Sequence, residues 1–275
     1  MSASMNSVTL RRGALAITMP DTAPYWALRL GAAGCFIGHG VFGLITKAAW
    51  LPYFAVVGIP EPWAWKLMPL VGAVDVLAGM AVLFAPTRLP LVYMAIWAVW
   101  TALLRPLAGE SVFEAVERAG NYGVPLAMLL WLGVPTSWRA LVGYSTSKSE
   151  SIAPRQAVRS VLQVTTSMLL AGHGALALLG KPLLANHAAL IGLSSPAAMY
   201  AGWFEIVLAV VIALRPSVAL LVFVVAWKVG SESLYVAAGA PVWEFVERAG
   251  SYAVPAALAA LLVLNRRRND VIPQE

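Results

Sequence analysis

A run of acidic and basic residues occurs twice in this chain, at a constant spacing of 130 residues. The first copy contains Glu114, Glu117, Arg118, Tyr122 and Pro125. The second copy repeats the pattern with Glu244, Glu247, Arg248, Tyr252 and Pro255. Each copy runs into an apolar segment long enough to be a membrane span. Two carboxylates and an arginine are therefore predicted at the mouth of a lipid-embedded helix, in duplicate.

The spacing within the motif allows a structural and a functional interpretation. A glutamate four residues before an arginine favours an ion pair within a helix, so Glu114 is expected to pair with Arg118. Carboxylates in a first turn also suit the positive end of the helix dipole. Glu117 lies on the same face without a cation of its own. Its charge is therefore predicted to be free for a metal, a proton or a histidine.

Two of the three histidines, His39 and His173, each lie between two glycines within an apolar segment. Glycine leaves room for a ligand or a neighbouring helix to approach the imidazole. At 1.5 Å per residue, His39 lies about 10 Å from the outer end of its span and Glu117 about 6–8 Å into its own. These depths are compatible with contact, and the alternative for each histidine is a hydrogen-bonded place in the core.

Two acids, Asp75 and Glu205, lie near the middle of apolar segments. An ionisable group at that depth is costly and usually faces the bundle interior with a partner. Lys228 is the expected partner of Glu205. Because Ala98 occupies the position of Lys228 in the first half, Asp75 must find another partner or stay protonated.

The candidate partners of Asp75 are His39, Arg105 and Arg118. With no lysine to neutralise its buried acid, the first half is predicted to carry the reactive site and the second half to be closer to a structural copy. The alternative is that both acids only hold helices together. Trp97, Trp100 and Trp227 are interpreted as lipid-facing or packing residues.

The composition places these residues in a membrane protein. Of 275 residues, 60% are hydrophobic and 12% are charged, against about 25% charged in soluble domains. The single cysteine, Cys35, excludes an intrachain disulfide and a two-cysteine redox pair. The net charge of +6 comes from basic residues at the ends of apolar segments, which indicates membrane topology and no nucleic-acid partner.

The fold prediction is an all-α polytopic membrane protein with eight transmembrane helices. The predicted spans are 26–46, 64–85, 89–106, 113–133, 159–180, 196–215, 217–236 and 243–265. The basic residues place the N-terminal tail (1–23), the linker (135–157) and the C-terminal tail (266–275) in the cytoplasm, in a bacterial inner membrane. The bilayer and a protein partner are the expected partners.

The chain divides into a first half (24–134) and a second half (158–265) with matching residues. His39 matches His173 at an offset of 134, and Asp75 matches Glu205 at an offset of 130. Because each half has an even number of predicted spans, the two four-helix repeats are expected to be parallel in orientation.

The Gly-His-Gly, the buried acid and the duplicated Glu-x-x-Glu-Arg-x-Gly-x-Tyr-x-x-Pro resemble the DoxX/DoxD-like membrane proteins, here as a tandem duplication over 24–134 and 158–265. Members of that family are associated with membrane redox work, including the membrane subunit of a thiosulfate:quinone oxidoreductase. The resemblance implies a quinone-facing or redox-partner role. With one cysteine and no recognisable soluble cofactor domain, the chain is expected to act as an oxidoreductase subunit if it is enzymatic.

Three functional hypotheses follow. In the first, a pocket near the outer leaflet binds a quinone and exchanges protons with it, lined by His39, Asp75, Glu114, Glu117 and Arg118. Cofactor contacts are predicted for His39, His173, Glu117, Glu247 and Arg248. In the second, His39 and His173 are metal ligands or the axial ligands of a haem b between the halves. In the third, the protein is a proton-coupled carrier or an anchoring subunit of a larger complex.

Overall fold

A computed structural model describes residues 22–85, 87–143 and 152–271, apart from the side chains of 152–154, 195 and 267–271. Most of the predicted N-terminal tail and the middle of the predicted linker lie outside the described residues. In chain order the helices are α1 (Thr22–Leu44), a 3-10 turn (Ala48–Trp50), α2 (Leu51–Val56), α3 (Glu61–Phe84), α4 (Arg88–Leu107), α5 (Val112–Glu117), α6 (Ala119–Leu132), α7 (Trp138–Val142), α8 (Ile152–Leu178), α9 (Pro182–Leu190), α10 (Ser195–Leu214), α11 (Val218–Ala237), α12 (Trp243–Glu247) and α13 (Ala249–Val271).

Among the described residues, seven helices are long and apolar enough to cross a membrane: α1, α3, α4, α8, α10, α11 and α13. The chain is therefore an all-α membrane protein, as its composition predicts. The predicted fourth span, 113–133, is divided at Arg118 into α5 and the 14-residue α6. Since 14 residues extend only about 21 Å, α6 alone is shorter than a hydrocarbon core of about 30 Å.

Several predicted boundaries differ from those of the helices. The predicted linker, 135–157, contains α7 and the first turn of α8, which begins at Ile152. The last helix continues to Val271, into the predicted C-terminal tail. Helix ends in polar sequence are hard to locate because hydropathy changes there without a change in backbone conformation.

The break between α5 and α6 is stabilised by side chains of the motif itself. Arg118 Nη1 donates to the Glu114 carbonyl oxygen at 3.2 Å, and the Tyr122 hydroxyl donates to the Ala115 carbonyl at 3.3 Å. These carbonyls lie at the end of a helix, where no backbone N–H is available to them. The second copy repeats both bonds through Arg248 and Tyr252. The arginine and tyrosine of the motif therefore have a local structural role.

The two halves interlock. Helix α1 packs against α3 of its own half and against α12 and α13 of the other half, while α8 packs against α10 and against α5 and α6. The contacts are close enough to require glycine. A Cβ at Gly38 would overlap the backbone of Glu247, and a Cβ at Gly172 would overlap that of Glu117. Each histidine-bearing helix thus lies directly on the Glu motif of the opposite half.

Ion pairs join the halves in the same crossed manner. Lys47 Nζ lies 2.5 Å from Glu244 Oε1, and Lys181 Nζ lies 2.7 Å from Glu114 Oε1. Both lysines follow the histidine helix of their own half. The pairs therefore fix the C-terminal end of each histidine helix to the opposite Glu motif.

Adding one methyl group is expected to have opposite effects at two glycines. Gly38→Ala should lower stability by about 3 kcal/mol or more, because its Cβ would overlap the Glu247 backbone, which cannot move aside cheaply. Gly230→Ala in α11 should raise stability by about 0.5–1 kcal/mol, because nothing lies within 4 Å of that Cβ and glycine is a poor helix former. Thermal unfolding of both variants in lipid nanodiscs measures the two shifts. Equal melting temperatures would contradict the interlocked packing.

Candidate functional site

Three helices of the first half bring His39, Asp75 and Tyr93 together. His39 Nδ1 of α1 lies 2.9 Å from Asp75 Oδ2 of α3, and the Tyr93 hydroxyl of α4 donates to Asp75 Oδ1 at 2.7 Å. Asp75 is fully buried, whereas a quarter of the His39 side chain is exposed. An ionised carboxylate only accepts hydrogen bonds, so with Asp75 ionised the proton lies on Nδ1 and Nε2 is free for a ligand.

The exposed side of His39 faces a cavity of about 310 Å³, here called cavity 1. Most of its wall is apolar and aromatic. The aromatic lining residues are Phe36, Trp50, Tyr53, Phe54, Trp97 and Trp100. The polar lining residues are His39, Thr101, Arg105, Arg118, Asn121 and Glu247. The His39 ring stacks on Trp50 with ring centroids 4.5 Å apart, which fixes the plane of the imidazole.

One of the residues that line cavity 1 has a buried hydrogen-bond donor without a partner. Trp97 Nε1 is buried and has no hydrogen-bond acceptor among the described residues. Leaving such a donor unpaired costs about 1–3 kcal/mol, which a ligand oxygen would recover. Tyr53 differs, because its hydroxyl already donates to Glu110 and burial raises its pKa to about 12. Its phenol therefore stays protonated at neutral pH.

The structure separates the five residues predicted to line one pocket. His39 and Arg118 line cavity 1, and Asp75 lies behind His39. Glu114 and Glu117 are not among the lining residues. The two glutamates of the first motif therefore lie away from cavity 1, because α1 packs on the opposite half's motif.

Glu117 is not left without a cation. Its Oε2 lies 3.6 Å from Arg118 Nη1 and 3.7 Å from Lys181 Nζ. The predicted Glu114–Arg118 pair is present at 3.2 Å, and Glu114 also contacts Lys181. The surplus negative charge expected on this helix is therefore neutralised by Lys181, which the sequence alone assigned to no partner.

Glu247 provides the carboxylate that cavity 1 contains. It comes from the second copy of the motif, brought next to α1 by the contact at Gly38. Arg248 lies beside it, 3.6 Å from Glu247 and 2.6 Å from Glu244, but does not line the cavity. Of Glu247 and Arg248, both predicted as cofactor contacts, only Glu247 lines the cavity.

The second half contains a related arrangement. His173 Nδ1 lies 2.5 Å from Glu205 Oε2, and Trp227 Nε1 donates to Glu205 Oε1 at 2.6 Å. The expected pairing of Lys228 with Glu205 is present at 3.9 Å, but Lys228 is closer to Glu232, at 2.8 Å. Here the tryptophan N–H bonds the buried acid, whereas Tyr93 takes that place in the first half.

His173 lines a different cavity of about 380 Å³, here called cavity 2, together with His187, Ala201, Trp227 and Gly230. His39 and His173 therefore face separate spaces, and each bonds an acid of its own half. The axial-ligand hypothesis requires both rings on one haem, which this arrangement does not provide. Within 22–85, 87–143 and 152–271, no group of three or more His, Cys, Asp or Glu side chains is placed to hold a metal.

No known family, curated protein or solved structure matches this chain. The resemblance to the DoxX/DoxD-like proteins thus rests on the motifs themselves. Sequence reasoning missed Tyr93. As predicted, Trp97 packs against the core and Trp100 is exposed, but both also line cavity 1, which the sequence did not indicate. Comparing the two halves could not identify Tyr93, because the matching residue in the second half is Phe223, which has no hydroxyl group.

Proposed function

We propose that this chain is a quinone-binding membrane subunit of a redox complex, with the quinone headgroup in cavity 1. The observation that carries the proposal is the His39–Asp75 pair beside the unpartnered Trp97 N–H, in an aromatic cavity. A cavity of about 310 Å³ is at the lower end of the range for small-molecule sites.

The groups around cavity 1 match the chemistry of a quinone. Each quinone carbonyl accepts hydrogen bonds, Trp97 and Arg118 are donors on the wall, and His39 becomes a donor at Nε2 once that nitrogen is protonated. Aromatic side chains favour a flat ring through stacked and edge contacts. The combination recognises a planar conjugated ring with carbonyl oxygens better than an aliphatic or anionic molecule.

Reduction of a quinone to a quinol takes two electrons and two protons. His39 is suited to supply one of these protons from Nε2 of its imidazolium, which Asp75 stabilises by holding Nδ1–H, and the other proton comes from water. Tyr93 holds the other carboxylate oxygen and keeps Asp75 in place. The electrons come from a partner protein, since one cysteine cannot form a dithiol pair.

We extend the proposal to the architecture and family. The chain is proposed to be a DoxX/DoxD-like protein with eight spans in two parallel four-helix repeats. Residues at matching positions line the two cavities, including Tyr53 and His187 at an offset of 134 and Trp100 and Gly230 at an offset of 130. Both termini are proposed to be cytoplasmic in a bacterial inner membrane, from the distribution of basic residues.

Cys35 allows a direct test because it lines cavity 1 and is the only cysteine. In nanodiscs, decylubiquinone should slow its modification by methyl methanethiosulfonate at least tenfold. The probe is fully substituted, so it does not add the thiol itself. Intact-mass spectrometry over time gives the rate, and decylbenzene is the control for the alkyl chain. Equal protection by decylbenzene, or none by the quinone, would reject the proposal.

The visible absorption spectrum of the same sample distinguishes the haem hypothesis from the quinone proposal. The quinone proposal expects no Soret band that depends on both histidines. A band lost in His39→Ala and again in His173→Ala would favour haem b instead.

A further inference from the structure

Cavity 2 differs from cavity 1 in the kind of molecule that fits it. At matching positions, Trp50, Phe54 and Trp100 of cavity 1 are replaced by Leu184, Ala188 and Gly230. Small aliphatic side chains take the place of aromatic rings along much of the wall. The space is thereby shaped for an aliphatic body and not for a stacked aromatic ring.

One polar side chain in cavity 2 has a free hydrogen-bonding atom. His187 is 4% exposed, lines the cavity, and has no hydrogen-bond partner for Nε2 among the described residues. Its ring meets the edge of Tyr235 with centroids 4.5 Å apart. Burial lowers the pKa of His187, so the imidazole is neutral at pH 7. A neutral imidazole nitrogen bonds an uncharged hydroxyl or carbonyl.

The charges near cavity 2 disfavour an anion. Glu205 lines the cavity, and both its oxygens are already bonded, to His173 and Trp227. None of the described residues lining cavity 2 is a lysine or an arginine. A carboxylate ligand would therefore lie near the Glu205 carboxylate, and no lysine or arginine on the wall would neutralise the ligand's charge.

Gly230, an exposed residue in the wall of cavity 2, leaves space open at that wall. It lies within α11, and a Cβ there would meet nothing within 4 Å. Glycine within a helix costs roughly 0.5–1 kcal/mol relative to alanine, and no neighbour requires it here. The matching residue in the first half is Trp100, whose ring occupies the corresponding wall.

We propose that cavity 2 is a second binding site, for an uncharged aliphatic molecule with a single hydroxyl or carbonyl group, which bonds His187 Nε2. The aliphatic wall holds the chain, and His187 selects the polar end. The site does not depend on the quinone proposal, since cavity 1 contributes none of these residues.

Photolabelling of the full chain in nanodiscs tests the site. Three diazirine probes share one ten-carbon chain and end in a hydroxyl, a carboxylate or a methyl group. The hydroxyl probe should label segments 184–205 and 226–234 at least tenfold more than the carboxylate probe, as mapped by mass spectrometry. Gly230→Trp should abolish this labelling because it fills the cavity, and Gly230→Ala is the matched control that leaves it open.

His187→Leu tests the polar contact at nearly constant apolar volume. It should lower labelling by the hydroxyl probe several-fold and leave labelling by the methyl probe unchanged. Equal labelling by all three probes, or labelling that Gly230→Trp does not change, would show only adventitious contact with lipid-like chains and overturn the proposal. A loss of decylubiquinone protection at Cys35 bears on cavity 1 alone, so the two proposals can fail separately.

Discussion

His39→Ala is expected to lower quinone-dependent turnover by a factor of about 10²–10⁴, the usual contribution of a positioned acid or base. The physical reason is that His39 is the titratable group of the His39–Asp75 pair that faces cavity 1. The measurement is the reduction of decylubiquinone by the tagged chain purified together with its partner. The protection of Cys35 should weaken far less than turnover, because the aromatic wall remains.

His173→Ala is the matched control, since its ring bonds Glu205 and faces cavity 2. Its turnover should stay within about threefold of wild type, well below the effect expected of a lost general acid or base. Equal losses in both histidine variants would indicate a general effect on folding. A His39→Ala variant with wild-type turnover would rule out His39 as the proton-exchanging group.

Lys228→Ala is expected to destabilise the fold by about 3–5 kcal/mol, the cost of leaving a buried acid without its partner. Lys228 is 1% exposed and lies between two acids, 2.8 Å from Glu232 and 3.9 Å from Glu205. Removing the lysine leaves Arg248, at 2.9 Å, as the remaining cation of Glu232 among the residues that the structure describes. Thermal or denaturant unfolding in nanodiscs measures the loss.

The first half of the chain suggests a second substitution that should restore the stability lost in Lys228→Ala. The first half has Ala98 and Ala102 where the second has Lys228 and Glu232. The double variant Lys228→Ala with Glu232→Ala should therefore recover at least half of the loss, because neither charge is then buried alone. Arg248 keeps Glu244 at 2.6 Å in the double variant. Additive destabilisation by the two substitutions would show that Lys228 stabilises the fold through packing alone.

Depth along a helix could be predicted from the chain, but the choice of partner could not. Counting at 1.5 Å per residue gave the depths of His39 and Glu117. The apolar segment around Asp75 placed that acid near mid-span, and His39 was one of its three candidate partners. The structure selects His39, with Tyr93 as a second donor. Rotation about the helix axis made the difference, because it decides which side chain at a given depth faces a neighbour.

The sequence by itself determined the class of the protein, the two copies of the motif and the matching positions of the histidines and acids. Composition and spacing are properties of the chain that folding does not alter. Only the tertiary structure decided that the Glu motif of each half lies against the histidine helix of the other, with Lys181 neutralising Glu117 and Glu247 facing cavity 1. In a membrane protein, lipid-facing and core-facing surfaces are both apolar, so hydropathy cannot say which helices are neighbours.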